Sequence, residues 1–425
     1  MPGINTKVGN YRWRIVVLLF FATTINYIDR QILGMLKPFI GSDLEITEAS
    51  YGYIVSAFQA AYAIGLLFVG VIIDKFGTKV SYAIAVVIWS LAGCFHAAAR
   101  SAFGFGVMRF FLGIGESANF PAAIKSTAEW FPKKERALAT GLFNSGSNMG
   151  AILAPIIVSV ITVTYGWRWA FIITGLLGFI WVVFWLIYYK LPQQASGLTK
   201  EEYSYIHSDE EEGSSDEGGK KLSWTELLRK RESAGICLAR FICDWVWWFF
   251  LFWTPDFLNK TYHVDITEMV MPLIVIYTFA AFGGVAGGAI STTLINKGRS
   301  VGFSRKAALL ICACCVIPVV FIPVLNSLWV AIGLISLAAF AHQGWASNIY
   351  TVVSDYFPKN AVGSMTGLAG FAGSVGGILA AIFVGQVLDI TQSYFLIFLI
   401  AGFAYVVAFG VLNLFLPKGP AELKK

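Results

Sequence analysis

The chain reads as an all-α membrane protein, with twelve transmembrane helices in two pseudo-symmetric six-helix bundles. Three observations carry that reading. The composition is 57% hydrophobic and 13% charged over 425 residues, with mean hydropathy +0.69, whereas a soluble chain carries about 25% charged residues. Apolar runs of about 20 residues, the length that crosses the hydrocarbon of a bilayer, recur from end to end. A 26-residue stretch in the first half reappears in the second.

The runs fall at 13–38, 51–74, 79–98, 103–124, 137–161 and 168–190, then at 233–259, 268–295, 305–324, 328–354, 362–388 and 392–416. The first exceeds signal-peptide length and no small-residue cleavage site follows it, so it is expected to be retained as a spanning helix. Six runs precede and six follow a polar stretch, 191–232, which contains "SDEEEGSSDEGGKK". That stretch is too polar to span. It predicts a cytoplasmic linker with some helical content between an N-terminal bundle (1–190) and a C-terminal bundle (233–425).

Basic residues orient the chain. With the N-terminus inside, 24 of the 31 Lys and Arg fall in inner segments and four (Lys37, Arg100, Arg168, Lys260) in outer ones; Arg30, Arg109 and Arg240 lie within runs. The positive-inside rule then places both termini in the cytoplasm of an inner membrane. It also accounts for the net charge of +6 without a nucleic-acid partner.

The repeat is "EWFPKKERALATGLFNSGSNMGAILA" (129–154) against "DYFPKNAVGSMTGLAGFAGSVGGILA" (355–380), with ten identities at an offset of 226. Both copies follow the fourth run of their half. Two parallel six-helix halves related about the membrane normal are an architecture of secondary transporters, with the binding site between the halves near the midplane.

"GVIIDKFGTK" (70–79) resembles the signature of the major facilitator superfamily in Gly70, Asp74, Lys75, Gly77 and Lys79. The resemblance implies the major facilitator fold. It also implies a conformational gate on the cytoplasmic side, in which Asp74 helps latch the halves; Arg136, in the next inner loop, is grouped with it. "NYIDR", "RFFLGIGESANFPA", "EWFPKKERALATGLFNSGSNMGA" and "WWFFLFWTPDFL" together resemble the anion:cation symporter family, and most of all its bacterial hexuronate transporters. The likeness is weakest in 191–232 and in "INKGRSVGFSRK", where the second copy of the signature has degenerated.

Charges inside apolar runs mark function, because a charge at the centre of a spanning helix costs on the order of 3 kcal/mol. The first run carries Asn26, Asp29 and Arg30, the fourth Arg109 and Glu116, the seventh Arg240 and Asp244, and the tenth His342. The i,i+4 spacing of Arg240 and Asp244 favours a structural intrahelical pair. An anionic substrate needs a cation that cannot lose its proton and can fork onto a carboxylate, which suits Arg30. A coupling proton needs a carboxylate switched by burial and a neighbouring arginine, which suits Asp29 and Glu116, with Arg109 tuning Glu116. The resemblance implies the same roles for Asp29, Glu116 and Arg30.

The hydroxyls of a sugar acid call for donors, acceptors and aromatic faces. Tyr27 and Tyr62 resemble cavity tyrosines of the family. Asn26, Gln59, Asn144, Ser145, Ser147, Gln343, Trp345, Asn348 and Trp247 or Trp248 are further candidates, and each is equally open to a role as an interhelical contact. The offset maps Glu116 onto His342, which reads as a second proton site, a substrate contact or a satisfied buried histidine.

No cofactor is implied. The Gly-rich runs ("GGVAGG", "GSVGGILA") lack a phosphate-loop pattern and read as close-packing, sliding interfaces. "CACC" (312–315) lacks an accompanying ligand set for a metal. No catalytic constellation suggests an enzyme. The expectation is a monomeric proton symporter that imports a hexuronate (glucuronate or galacturonate) by alternating access. A carrier of an aldonate or other small organic anion is the alternative within transport, with sodium as an alternative coupling ion, although no broken helices that would expose carbonyls are evident. A non-transporting membrane sensor is a further reading, weakened by the lack of an output domain.

Overall fold

The computed structural model describes residues 9–208 and 224–416. The acidic cluster expected in the linker and the basic C-terminal residues lie outside them. Fifteen α-helices are described: α1 (Tyr11–Leu44), α2 (Glu48–Phe76), α3 (Thr78–Phe95), α4 (Ala102–Glu116), α5 (Asn119–Trp130), α6 (Lys133–Tyr165), α7 (Trp167–Tyr188), α8 (Lys200–Ile206), α9 (Trp224–Leu228), α10 (Arg231–Tyr262), α11 (Val270–Asn296), α12 (Val301–Val316), α13 (Leu328–Tyr356), α14 (Lys359–Thr391) and α15 (Phe395–Phe415). Short 3₁₀ turns extend α3 and α12.

Among the described residues, eleven helical segments are individually long and apolar enough to cross a membrane. The twelfth crossing is the pair α4–α5. The sequence predicts one helix over 103–124, but the chain breaks after Glu116 and restarts at Asn119. Tight packing surrounds the interruption. A Cβ on Gly113 would stand 2.4 Å from the Phe58 carbonyl, one on Gly115 2.8 Å from Trp89, and Ser117 Oγ fills the space beside Gly65. The interruption is a two-residue turn whose backbone stays right-handed helical (Ser117 φ −59°, Ala118 φ −78°), and it falls at the buried Glu116.

Within the first bundle α1 packs on α6 and α7, α2 on α4, and α3 on α4 and α7; within the second α11 packs on α13, α10 on α14 and α15, and α12 on α13. The bundles meet along α2–α14, α6–α11 and α1–α10. The sequence repeat is a structural repeat. Phe131 and Phe357 end their helices in extended backbone, Pro132 and Pro358 start the next, and α6 and α14 are both 33 residues long. Gly150 sits against the Thr24 carbonyl of α1 and Gly376 against the Phe241 carbonyl of α10, so the same glycine brings equivalent helices together in each half.

The two ends of the interface differ. At the end far from the N-terminus, Gly52 of α2 meets Ala381 and Gly385 of α14, with room for no side chain, and Ser56 bonds the Ile378 carbonyl at 3.1 Å. An ionic cluster closes the same end. Lys37 Nζ lies 2.5 Å from both Glu48 and Asp256, Lys260 pairs with Glu48 and lies 3.3 Å from Asp256, and the Tyr394 hydroxyl donates to Asp256. Lys37, which the charge count assigns to an outer segment, is thus buried inside α1. Toward the N-terminal end the same two helices part: a Cβ on Gly70 of α2, or on Gly363 or Gly367 of α14, would touch nothing within 4 Å. The interface is closed at the far end and open at the N-terminal end.

The polar stretch contributes one anchor. Glu202 of α8 accepts from the backbone N–H groups of Tyr11 and Arg12, both at 3.1 Å, and from Arg12 Nη1 at 3.0 Å. It caps the exposed donors that begin α1.

Removing one member of a buried ion pair costs about 3–5 kcal/mol, and opening to water relieves the partner left behind. Asp256→Asn is therefore expected to open the far end. Spin labels at positions 53 and 386, where Tyr53 and Gln386 now touch, would report it in a cysteine-free background. Wild type should give one short distance and Asp256→Asn an added longer population; identical distributions would show that the cluster does not hold this end shut.

Candidate functional site

Near the middle of the interface α1 turns a polar face toward the second bundle. Asn26 and Arg30, one turn apart, share that face, and Arg30 Nη2 donates to Asn26 Oδ1 at 3.3 Å. Arg30 reaches the break in the fourth span, where Nε and Nη2 lie 3.0 and 2.8 Å from one oxygen, Glu116 Oε2. Both side chains are fully buried. Four rings surround the guanidinium: Tyr27 and Tyr62 at 5.0 Å, Phe58 at 5.3 Å, and Trp248 from α10 at 5.5 Å. A cation among aromatic faces keeps part of the stabilisation it loses with water. Trp248 is the second bundle's contribution, so the site spans both halves.

Asp29 points elsewhere. Consecutive helical residues are separated by about 100°, which carries Asp29 off the face of Arg30 and into the first bundle. There it neighbours Thr174 of α7 and lies within electrostatic reach of Arg109 and Glu116. The Thr174 hydroxyl lies 3.4 Å from the Phe171 carbonyl, and both Asp29 oxygens are buried without a hydrogen-bond partner. Arg109 is likewise buried with all three guanidinium nitrogens unpartnered and its charge 5.9 Å from the Phe58 ring centre. It faces the interior of its own bundle, near His96. Arg30 holds the Glu116 carboxylate directly, and Arg109, expected to tune Glu116, makes no hydrogen bond to it and reaches Glu116 and Asp29 through charge alone.

The remaining candidates separate by surroundings. Gln59 is buried beside Gly377 and Trp248 where the bundles meet, with both amide atoms unpartnered. Asn144 and Ser145 are exposed on α6; Ser145 Oγ donates to the Leu142 carbonyl and the buried Ser147 Oγ to the Asn144 carbonyl. Gln343 is half-buried. His342 lies inside the second bundle, with Nδ1 2.5 Å from the Tyr405 hydroxyl and its ring stacked on Trp247 at 5.0 Å. Trp345 packs edge-on against Tyr405, and Asn348 Nδ2 bonds the Gly287 carbonyl at 2.8 Å, tying α13 to α11. These three are held in packing contacts within their bundle. Arg240 and Asp244 form the expected i,i+4 pair at 2.7 Å.

The signature near residue 74 sits at the open end. Asp74 is exposed and pairs with Lys125 of its own bundle at 2.7 Å. Gly77 (φ +79°) ends α2 in a backbone region that favours glycine. Lys75 lies over the Phe76 ring, the Lys79 carbonyl accepts from Trp185, and Arg136 donates to the Phe131 and Ala128 carbonyls at the end of α5. Sequence reasoning missed the far-end cluster. Asp256 was visible as an acid inside "WTPDFL", but its partners Lys37 and Tyr394, and the Glu48 that shares its lysines, come from α1, the start of α15 and α2.

The family model described as Major Facilitator Superfamily matches residues 19–381. The chain belongs to that superfamily. It is a multi-pass membrane transporter and not an enzyme. Among curated relatives, it is 35% identical over 384 residues to the hexuronate transporter of Escherichia coli (strain K12), covering 90% of this chain and 89% of the relative. It is 36% identical over 282 residues to the galacturonate transporter of Dickeya chrysanthemi, covering 66% and 82%. A bacterial homologue of the human lysosomal transporter Spinster, solved in an inward-facing and unoccupied conformation, superposes with a TM-score of 0.76 at 19% identity, over 98% of this chain and 99% of that one. That likeness is one of fold.

The packing below the site is sensitive to volume. Gly113→Ala would push into the Phe58 carbonyl, whereas Gly106→Ala in the same helix meets nothing within 4 Å. Overpacking costs about 1–3 kcal/mol. Thermal unfolding of detergent-purified protein should show a clear loss of stability for Gly113→Ala and none for Gly106→Ala; equal behaviour would remove close packing as the reason for glycine there.

Proposed function

We propose that this carrier imports a hexuronate, glucuronate or galacturonate, together with protons across the inner membrane, with both termini in the cytoplasm. The observation that carries the reading is the Arg30–Glu116 pair at 2.8 Å, buried at the interface and ringed by aromatics from both bundles. Arg30 keeps its proton at any working pH, so it stays a cation for the substrate carboxylate. Glu116 occupies the same guanidinium nitrogens that a bound carboxylate would take. Protonating Glu116 frees them, and binding the anion to Arg30 favours that protonation. The two events are thus coupled by competition for one cation. Asp29, on the other side of α1, is a second proton acceptor tuned by Arg109. The 35% identical hexuronate transporter supports the choice of sugar acid, as do the tyrosine and tryptophan faces that suit a ring with hydroxyls.

Alternating access follows from the glycine contacts. The bundles 1–190 and 233–425, joined by 191–232, rock as bodies about the site. In the opposite state the far-end cluster separates, and Asp74 with Lys75, Lys79 and Arg136 closes the N-terminal end around Gly70 and Gly77. The working unit is a monomer, since each chain carries a complete interface.

The test is uptake of labelled glucuronate by liposomes containing only this protein. An inward proton gradient is expected to drive accumulation that a sodium gradient does not. Arg30→Ala should abolish uptake, a loss of at least a hundredfold. Glu116→Gln should lose gradient-driven accumulation while exchange of internal for external glucuronate persists, because the neutral amide mimics the protonated state. Uptake indifferent to the proton gradient would overturn the coupling. A protein that moves an aldonate and not glucuronate would overturn the substrate.

A further inference from the structure

The second bundle holds an ion pair that the proposed cycle does not use. Arg240, Asp244 and Trp248 lie at i, i+4 and i+8 of α10, on one face of the helix. Trp248 abuts Arg30 at 5.5 Å. Asp244 is therefore one turn, about 6 Å along the helix axis, from the residue whose ring touches the carboxylate-binding arginine, and Arg240 one turn further toward the open end. Arg240 Nε donates to Asp244 Oδ2 at 2.7 Å, both side chains keep about one-seventh of their surface exposed, and the Arg240 charge lies 5.0 Å from the Tyr350 ring of α13. Tyr350 is itself 45% exposed and within electrostatic reach of Tyr27 and Tyr62 on the first bundle. Opposite this face α14 presents Gly370, Gly373 and Gly377. A Cβ on Gly373 would stand 2.2 Å from Asp244 Oδ2, and one on Gly377 3.2 Å from Trp248. The absence of side chains there lets the Asp244 carboxylate and the Trp248 ring keep their positions.

A structural tie needs neither the exposure nor the exposed tyrosine beside it. We infer that Arg240, Asp244 and Tyr350 form a second subsite, which receives the uncharged, hydroxylated end of a sugar acid and rejects a second carboxylate. The inference rests on the sugar-acid reading, with Arg30 holding the carboxylate. Asp244 accepts from substrate hydroxyls, Arg240 donates to their oxygens, and Tyr350 supplies a face and a hydroxyl. Because Asp244 already neutralises Arg240, the subsite offers no net cation to a second anionic group, and the Asp244 carboxylate repels it directly. Selectivity for monoanionic sugar acids over dicarboxylic ones (aldarates) then arises from an unfavourable contact as much as from a favourable one.

The test compares glucuronate with galactarate, a six-carbon dicarboxylic sugar acid, as competitors of labelled glucuronate in proteoliposomes. Their binding is also followed by tryptophan fluorescence of detergent-purified protein, a readout that survives loss of transport. In wild type galactarate should compete at least tenfold more weakly than glucuronate. In Asp244→Asn, which leaves Arg240 as an uncompensated cation of nearly unchanged shape, that ratio should fall about tenfold or more. Tyr350→Phe, a milder change, should weaken glucuronate several-fold and keep the discrimination. A folded Asp244→Asn with the wild-type ratio would overturn the inference. So would unchanged glucuronate affinity in Tyr350→Phe, which decides the matter if Asp244→Asn does not fold. Failure of the sugar-acid reading is recognised separately, by wild type neither binding nor transporting glucuronate.

Discussion

A charge inside an apolar bundle is costly unless the protein pairs it, because neither lipid nor packed side chains replace its hydration. That constraint organises this carrier at three depths. At the far end Lys37, Glu48, Asp256 and Lys260 tie α1 and α2 to α10. At mid-depth Arg30 holds Glu116 where the fourth span breaks. One to two turns further toward the open end, Arg240 holds Asp244. Each tie is strong only while dry, so each is also a place where admitting water or a substrate changes the balance between conformations.

Glycine supplies the complementary half of the design. Where Gly52 faces Gly385 the bundles touch backbone to backbone, and where Gly70 and Gly363 stand free on the same two helices they gape. Contacts made of small residues and backbone have no interlocking side chains to unpick. The ionic cluster shares the far end with one buried aromatic contact across the interface, Tyr51 on Trp253 at 5.4 Å, and the Tyr51 hydroxyl also donates to the Phe252 carbonyl at 3.0 Å. The broken fourth span fits the same logic: Gly113 and Gly115 bring α4 close enough to α2 and α3 to carry Glu116 into the heart of the interface.

Much of this was legible in the chain. Apolar runs of membrane-spanning length depend on composition alone, and the FP-centred repeat encodes the same extended turn twice, since proline sets the backbone that starts α6 and α14. Charged residues inside those runs announce themselves because they are costly there. Arg30, Glu116, Asp29 and Arg109 were visible for that reason, and the i,i+4 pair Arg240–Asp244 was predictable because its geometry is local to one helix.

Partnership across helices was not legible. Asp29 and Arg30 are neighbours in sequence, yet helical rotation sends one into the first bundle and the other into the interface. Arg109 and Glu116 share a helix face two turns apart, yet Arg30 takes the Glu116 carboxylate. Lys37 reads as a loop charge until Asp256, 219 residues away, is brought against it. The sequence by itself determined that there are two six-helix halves and which charges lie inside them, because hydropathy and helical periodicity are properties of single segments. Only the tertiary structure decided who pairs with whom and which end stands open, because those depend on the rotation and depth of each helix relative to the others.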